Sequence, residues 1–316
     1  MRPWFVALLC AAFAASVVEA EVPERLAPIT RQAEPYQGVT YYRLIGGRNK
    51  TTPAVLPRPL VIHLLEIDPQ AEGLTFFGTP DNGDAPAEYT RQVTSEFLKQ
   101  HRLSLAVNGD FFSMEMGTNT DAQGLGASNG KIGSHPAAEG KVCASLVITK
   151  DNKVSIVTTA DIPEGTWNAV SGGPILVTDG ENVARKPEND KLHPRTAAGI
   201  NTETGHLFLL VADGRQPGFS EGMYLSEMAD LFLEFGVNQA INLDGGGSTT
   251  LVFADGNEGA PRVINSPSSG ATRWTAGWER PVANHLGVTA AVNEDYKRLP
   301  TPREQEKAQE ALSQSK

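Results

Sequence analysis

Apolar positions in this chain gather in short runs, each closed by Gly, Pro, Asn or Asp. Runs of that length with such boundaries predict buried strands. Pro59–Ile67, Leu103–Val107, Val142–Ile148, Lys153–Thr159, Pro174–Thr178, Ala197–Ile200, His206–Ala212, Gln239–Leu243 and Thr249–Phe253 read this way. Asn201–Gly205 has the composition of a hairpin turn between two of them. Two segments follow a helical period instead. Thr90–Arg102 places Val93, Phe97 and Leu98 on one face and Arg91, Lys99 and Gln100 on the other. Leu225–Phe235 places Leu225, Met228, Leu231, Phe232 and Phe235 on one face, and Gly236 supplies the left-handed residue that ends such a helix. No internal repeat or low-complexity linker divides the chain. Hairpin-linked strands with interspersed helices predict an α+β fold, a single mixed-sheet domain with helices packed on it.

The ends read differently from the middle. Met1–Ala20 has the short basic start, apolar run and small residue before the cut that mark a secretory leader, so a secreted or periplasmic location is expected. Residues 21–35 are expected to form a linker, 36–293 the domain, and 294–316 a charged tail, either a frayed surface helix or disordered. Losing the leader removes Cys10 and leaves Cys143, in an apolar run, as an inert buried thiol with no intrachain disulfide partner. No other segment is expected to enter a membrane.

Charge narrows the partners. The chain carries 27 basic and 37 acidic residues, a net charge of −10, which argues against nucleic-acid binding. A local arginine cluster can still receive an anion on an acidic protein. The chain has no H-E-x-x-H helix motif, no G-K-[ST] phosphate loop and no G-x-G-x-x-G after a strand, which disfavours zinc proteases and nucleotide enzymes. No cofactor is firmly implied.

The candidate chemistry lies just after strands. Ile241–Thr250 ends a predicted strand on Asp244 and turns through Gly245, Gly246 and Gly247 into Ser248 and Thr249. Three glycines cost chain entropy and are tolerated where backbone approaches something closely, so their amides are candidates to line an anion or a sugar hydroxyl. Asn108-Gly109-Asp110 follows another strand, and Ser171-Gly172-Gly173-Pro174 is a second place of close approach. Arg195 and Arg215 border predicted strands, where two guanidinium groups make a fork for phosphate or carboxylate. Trp167, Trp274 and Trp278 are the candidates for stacking on a sugar.

Taken in order, Val107–Phe112, Gly172-Gly173-Pro174, Arg195–Gly199, Asp213-Gly214-Arg215, Asn242–Thr249 and Arg280–Asn284 resemble the phosphodiester glycosidase family, in a stand-alone form of the bacterial kind. The family pattern carries a second Gly where this chain has Asp110. The resemblance implies hydrolysis of the anomeric C–O bond of a sugar-1-phosphodiester, of the N-acetylglucosamine type or in a cell-envelope glycan. On that reading Asp244, Asp110 and Asp213 are the candidate catalytic carboxylates, with Asp244 on the anomeric side as nucleophile or base. Arg195 and Arg215 clamp the phosphate. Asn108, Asp213 and the Gly245–Gly247 amides hold the sugar, with Gly173, Ser248, Thr249 and Arg280 completing the binding set. Two rivals stand beside it. Asp110, Asp213 and Asp244 can instead be read as ligands of Mg²⁺ or Ca²⁺ in a phosphodiesterase. The domain can also be read as a non-catalytic glycan-binding or polysaccharide-assembly protein.

Overall fold

In the computed structural model, which describes residues 20–47, 58–113, 117–136, 144–158, 160–184, 190–255, 259–272 and 275–314, strands dominate. The first half contributes β1 (Thr30–Tyr36), β2 (Val39–Gly46), β3 (Leu60–Ile67), β4 (Thr75–Gly78), β5 (Tyr89–Thr90), β6 (Leu105–Asn108), β7 (Asn119–Thr120), β8 (Gly126–Ser128), β9 (Lys131–Ser134), β10 (Ala144–Thr149) and β11 (Val154–Val157). The second half adds β12 (Thr166–Gly172), β13 (Ile175–Thr178), β14 (Glu181–Asn182), β15 (Arg195–Ile200), β16 (Leu207–Ala212), β17 (Gln239–Asn242), β18 (Leu251–Asp255), β19 (Ala260–Val263) and β20 (His285–Thr289). The helices are α1 (Thr94–His101), α2 (Leu225–Glu234) and α3 (Pro302–Gln314).

An eight-stranded sheet runs β1-β2-β3-β16-β15-β17-β13-β14. Two five-stranded sheets run β11-β10-β12-β8-β9 and β19-β18-β6-β20-β4. The ladders of all three are antiparallel. Burial on both faces explains why β16 is an unbroken apolar run and β3 is apolar except for buried His63 and Glu66, in an antiparallel sheet where alternation is usual. Leu65 and Ile67 of β3 and Leu209 and Val211 of β16 face the smaller sheets, meeting Val107, Leu146, Leu251 and Leu286. Their neighbours Ile62, Leu64, Phe208 and Leu210 point the other way, onto Met228, Leu231 and Phe232 of α2. Helix α1 closes the far side by setting Phe97 and Leu98 on Ala106 and Val252. The result is the α+β domain expected, layered helix, sheet, sheet pair, helix.

Two differences from the sequence reading have physical causes. Residues 21–35 are not a plain linker: Leu26 and Ile29 are buried in the α2-side core, and Thr30–Tyr36 is the edge strand β1. Its TRQAEPY sequence shows no alternation because both faces of its middle are wet: the adjacent residues Arg31 and Gln32 are both exposed, as is Glu34. Helix α1 starts at Thr94, not Thr90, because Tyr89–Thr90 pairs as strand β5, Gln92 bridges to Val282 and Val93 stays extended. The tail forms α3, docked through Pro302 and Arg303. Helix α2 ends as read, with Gly236 at φ +76°. Cys143, Trp274 and Met1–Glu19 of the expected leader Met1–Ala20 lie outside the described residues.

One close approach ties the layers together near the strand ends. A Cβ on Gly172, the last residue of β12, would overlap the carbonyl of Asn242 at the end of β17. Gly173 N then donates to that carbonyl at 2.7 Å. Gly172→Ala should therefore lower the unfolding free energy by about 1–3 kcal/mol, read by urea denaturation. Unchanged stability would mean that the two strands separate freely.

Candidate active site

Strands β15, β16 and β17 are ordered side by side around β15, with Arg195 opposite Ala212 and Ala197 opposite Asn242. Arg195, Arg215 and Asp244 therefore emerge at one end of the large sheet. They border a cavity of about 310 Å³ completed by Phe111, His193, Asn242, Gly245, Gly246, Gly247 and Arg280. A larger cleft of about 610 Å³ lies around Tyr36, Arg262 and Arg298, but both of its arginines are paired to Asp255.

The glycine loop makes room for cations. Gly246 has φ +62°, and a Cβ there would stand 3.1 Å from both terminal nitrogens of Arg215. A Cβ on Gly247 would overlap the Arg280 guanidinium, and one on Gly245 would stand 2.8 Å from the Pro194 carbonyl. Gly246 N donates to that same carbonyl at 2.8 Å. Two guanidinium groups thus sit against loop backbone that side chains would otherwise cover.

Arg195 is the most tied of the three cations. It reaches Asp190 at 2.9 Å and the carbonyls of Met223 and Lys191 at 3.2 and 3.1 Å. Arg280 donates to Ser248 Oγ at 3.4 Å. Arg215 donates through Nε and Nη2 to His193 Nδ1 at 3.3 Å. A guanidinium has no acceptor, so His193 Nδ1 accepts and its ring proton sits on Nε2. Burial, then Arg215 and Arg195, hold His193 below the usual imidazole range, which keeps it neutral. Burial also lowers Arg215, with Arg280 adding like-charge repulsion.

Among the described residues, Asp244 is the one carboxylate lining the cavity. Burial pushes it up to about 6, against the opposing pull of the Ser248 hydroxyl, Arg280 and the Gly245 amide. Asn108 fixes its backbone: Nδ2 donates to the Asp244 carbonyl at 2.6 Å, while Oδ1 accepts from Thr196 Oγ1 and Thr250 N.

The structure thus gathers Asp244, Arg195, Arg215, Arg280 and Gly245–Gly247 from the sequence-predicted set, with Ser248 bonded just behind them. It does not gather the rest. Asp110 is buried, accepts from Ser171 N and from Asn284 Nδ2, and is held well above the usual carboxylate range by burial. Asp213 is fully buried; its Oδ1 accepts from Asn265 Nδ2 at 3.1 Å and Ser266 N at 2.8 Å, and its Oδ2 lies 3.6 Å from His63 Nε2. Both carboxylates follow strands but turn into the interior, so they pin loops rather than meet a ligand. Asn108 and Thr249 are likewise buried framework, and Gly173 supplies a strand bond. The metal-ligand reading of Asp110, Asp213 and Asp244 is not assembled, and no cluster of three His, Cys, Asp or Glu suited to a metal occurs among the described residues.

Three cavity residues escaped the sequence reading. Asn242 was legible, because alternation puts it on the face of Asp244 two positions on. Phe111 and His193 sit in irregular segments where no periodicity marks them. Trp167 lies instead under Lys150, and Trp278 is 66% exposed outside the cavity. Gly126-Ala127-Ser128-Asn129-Gly130 has the spacing of a nucleophile elbow, but Ser128 is buried in a hairpin and donates to the Gly78 carbonyl.

The fold favours protonated Asp244, so ionising it costs stability as pH rises from about 4 through about 6. Asp244→Asn should unfold later than the parent at pH 8, by on the order of 3 kcal/mol, and equally at pH 4. Equal stability at both pH values would show that the carboxylate ionises without strain.

The phosphodiester glycosidase family model matches residues 101–289. The N-acetylglucosamine-1-phosphodiester alpha-N-acetylglucosaminidase of Bos taurus is 30% identical over 188 residues, covering 53% of this chain and 34% of that protein. The match thus spans about a third of that relative's length. The zebrafish N-acetylglucosamine-1-phosphodiester alpha-N-acetylglucosaminidase catalytic domain, solved auto-inhibited by its pro-peptide, superposes with TM-score 0.61 at 22% identity. That superposition covers 82% of this chain and 87% of the other. A hypothetical protein from Synechocystis superposes with TM-score 0.54 at 14% identity, over 80% of this chain and 62% of the other. These two likenesses establish a shared fold. With more than half of its length matched by the family model, the chain belongs to the phosphodiester glycosidase family.

Proposed function

We propose that this protein hydrolyses the anomeric C–O bond of sugar-1-phosphodiesters, releasing free sugar and a phosphomonoester. The observation that carries this reading is the juxtaposition of one carboxylate, raised to about 6, with the Arg215 and Arg280 guanidinium groups on the glycine loop. Arg195 is largely neutralised by Asp190, so Arg215 and Arg280 supply the positive field for an anion.

The chemistry suits that asymmetry. A phosphomonoester leaving group has a second pKa of about 6 and departs with little help from an acid. The site has to stabilise an oxocarbenium-like centre and the charge that gathers on phosphate. Ionised Asp244 serves the anomeric side, as nucleophile or as base for water. Arg215 and Arg280 take the phosphate oxygens. Neutral His193, with its proton on Nε2, has a donor for the leaving oxygen or the sugar. The activity in the bovine and zebrafish relatives' names supports N-acetylglucosamine as the sugar. A leader at Met1–Ala20 supports a location outside the cytoplasm, where envelope glycans carry such diesters.

Hydrolysis of an N-acetylglucosamine-1-phosphodiester in water enriched in ¹⁸O tests the reading. The label is expected in the sugar. Label in phosphate, with loss of activity on chelation, would replace it with metal-dependent P–O cleavage. Asp244→Asn should lose activity by about 10³-fold or more. In the parent, kcat/KM should rise with pH through about 6, as Asp244 ionises. A rate independent of pH from 5 to 7 would remove Asp244 from the mechanism.

A further inference from the structure

The arginine that meets phosphate is held by a helix outside the family-matched segment. Arg215 has φ +58°, a left-handed conformation unusual for a residue with a side chain, and its N–H donates to the Glu221 carbonyl at 3.3 Å. The next residue, Gln216, is fully buried. Its Nε2 donates to the Ser266 and Gly214 carbonyls at 2.8 and 3.3 Å. Its Oε1 accepts from Ser266 Oγ and from Arg303 Nη2. Arg303, in the first turn of α3, also donates Nε to Ser266 Oγ at 3.2 Å and lies 3.5 Å over the ring of buried Phe219. Ser268, in the same segment as Ser266, donates to the Gly246 carbonyl at 3.2 Å. One guanidinium therefore links the turn carrying Arg215 to the segment that touches the glycine loop.

Burying a guanidinium is costly unless its donors are met. Here they are met by Gln216, Ser266, Thr272 and Glu306, so the cation is built in rather than stranded. Pro302 and Arg303 are the buried side chains of α3 among those described, so the helix attaches at this point. We propose that Arg303 is a positioning residue, acting through Gln216 to aim Arg215 at the phosphate oxygens. The inference rests on Arg215 as a phosphate contact, as in the proposed function, but does not require turnover.

The test is binding of inorganic phosphate and of free N-acetylglucosamine, by ligand-observed NMR titration of full-length protein. The variants are Arg303→Met, Arg303→Lys and Arg298→Met. The last removes ion pairs to Asp255 and Glu304 beside the same helix without touching the turn. Arg303→Met and Arg303→Lys should each weaken phosphate binding about tenfold and leave sugar binding unchanged, because lysine lacks the planar fork. Arg298→Met should change neither. If Arg303→Met fails to fold, Arg303→Lys, which keeps charge and stem, carries the test alone. Unchanged phosphate affinity in a folded Arg303 variant, or parallel loss of sugar affinity, would overturn the proposal, as would a parent that binds no phosphate. A parent that binds phosphate but cleaves no sugar-1-phosphodiester would sink the proposed function and leave this inference standing.

Discussion

Like charges repel, and the site places the Arg215 and Arg280 guanidinium groups against one short loop. That arrangement governs much of the surrounding design. It requires a loop without side chains, which Gly246 and Gly247 provide. It requires a carboxylate between strand and loop, which Asp244 provides at the end of β17. It also requires a stiff frame, since unsupported arginines would swing apart into water. Three adjacent strands, an asparagine pinned across three elements and a docked helix form that frame.

Buried polar groups do the holding. Asn108, Asp110, Asp213 and Gln216 each have less than 2% of their surface exposed, and each spends its hydrogen bonds on backbone or on another buried side chain. Neutral groups left unbonded there would cost about 1–3 kcal/mol apiece. The same low-dielectric surroundings lift Asp244, so rigidity and reactivity at this rim have a common source.

How much of this the sequence disclosed depends on the kind of signal. Strand-end residues are legible, because a run of apolar residues stopping at Asp244 or starting beside Arg195 marks the sheet rim. Which way a polar residue turns after its strand is not legible: Asp110 and Asp213 occupy equally suggestive positions and point inward, drawn by partners as distant in the chain as Asn284 and Ser266. The late start of α1 escaped for a related reason, since the Arg91 and Gln92 amides bond to Thr118 and Val282, whereas edge strand β1 pairs with its neighbour β2 but has no apolar alternation to mark it. His193 belongs to no periodic element, and its bridge to Met223 and the Arg215 side chain hold it at the rim.

The order of the large sheet has a kinetic side. Its middle joins β3 to β16, where Glu66 meets His206 across 140 positions of chain. Closing so long a loop before any contact repays it makes the fold one of high contact order, which forms slowly. Until β16 arrives, β3 presents an unpaired apolar edge to whatever is near. The rim at the ends of β15 and β17 lies beside that pairing, so the cavity is complete only when segments far apart in the chain have met.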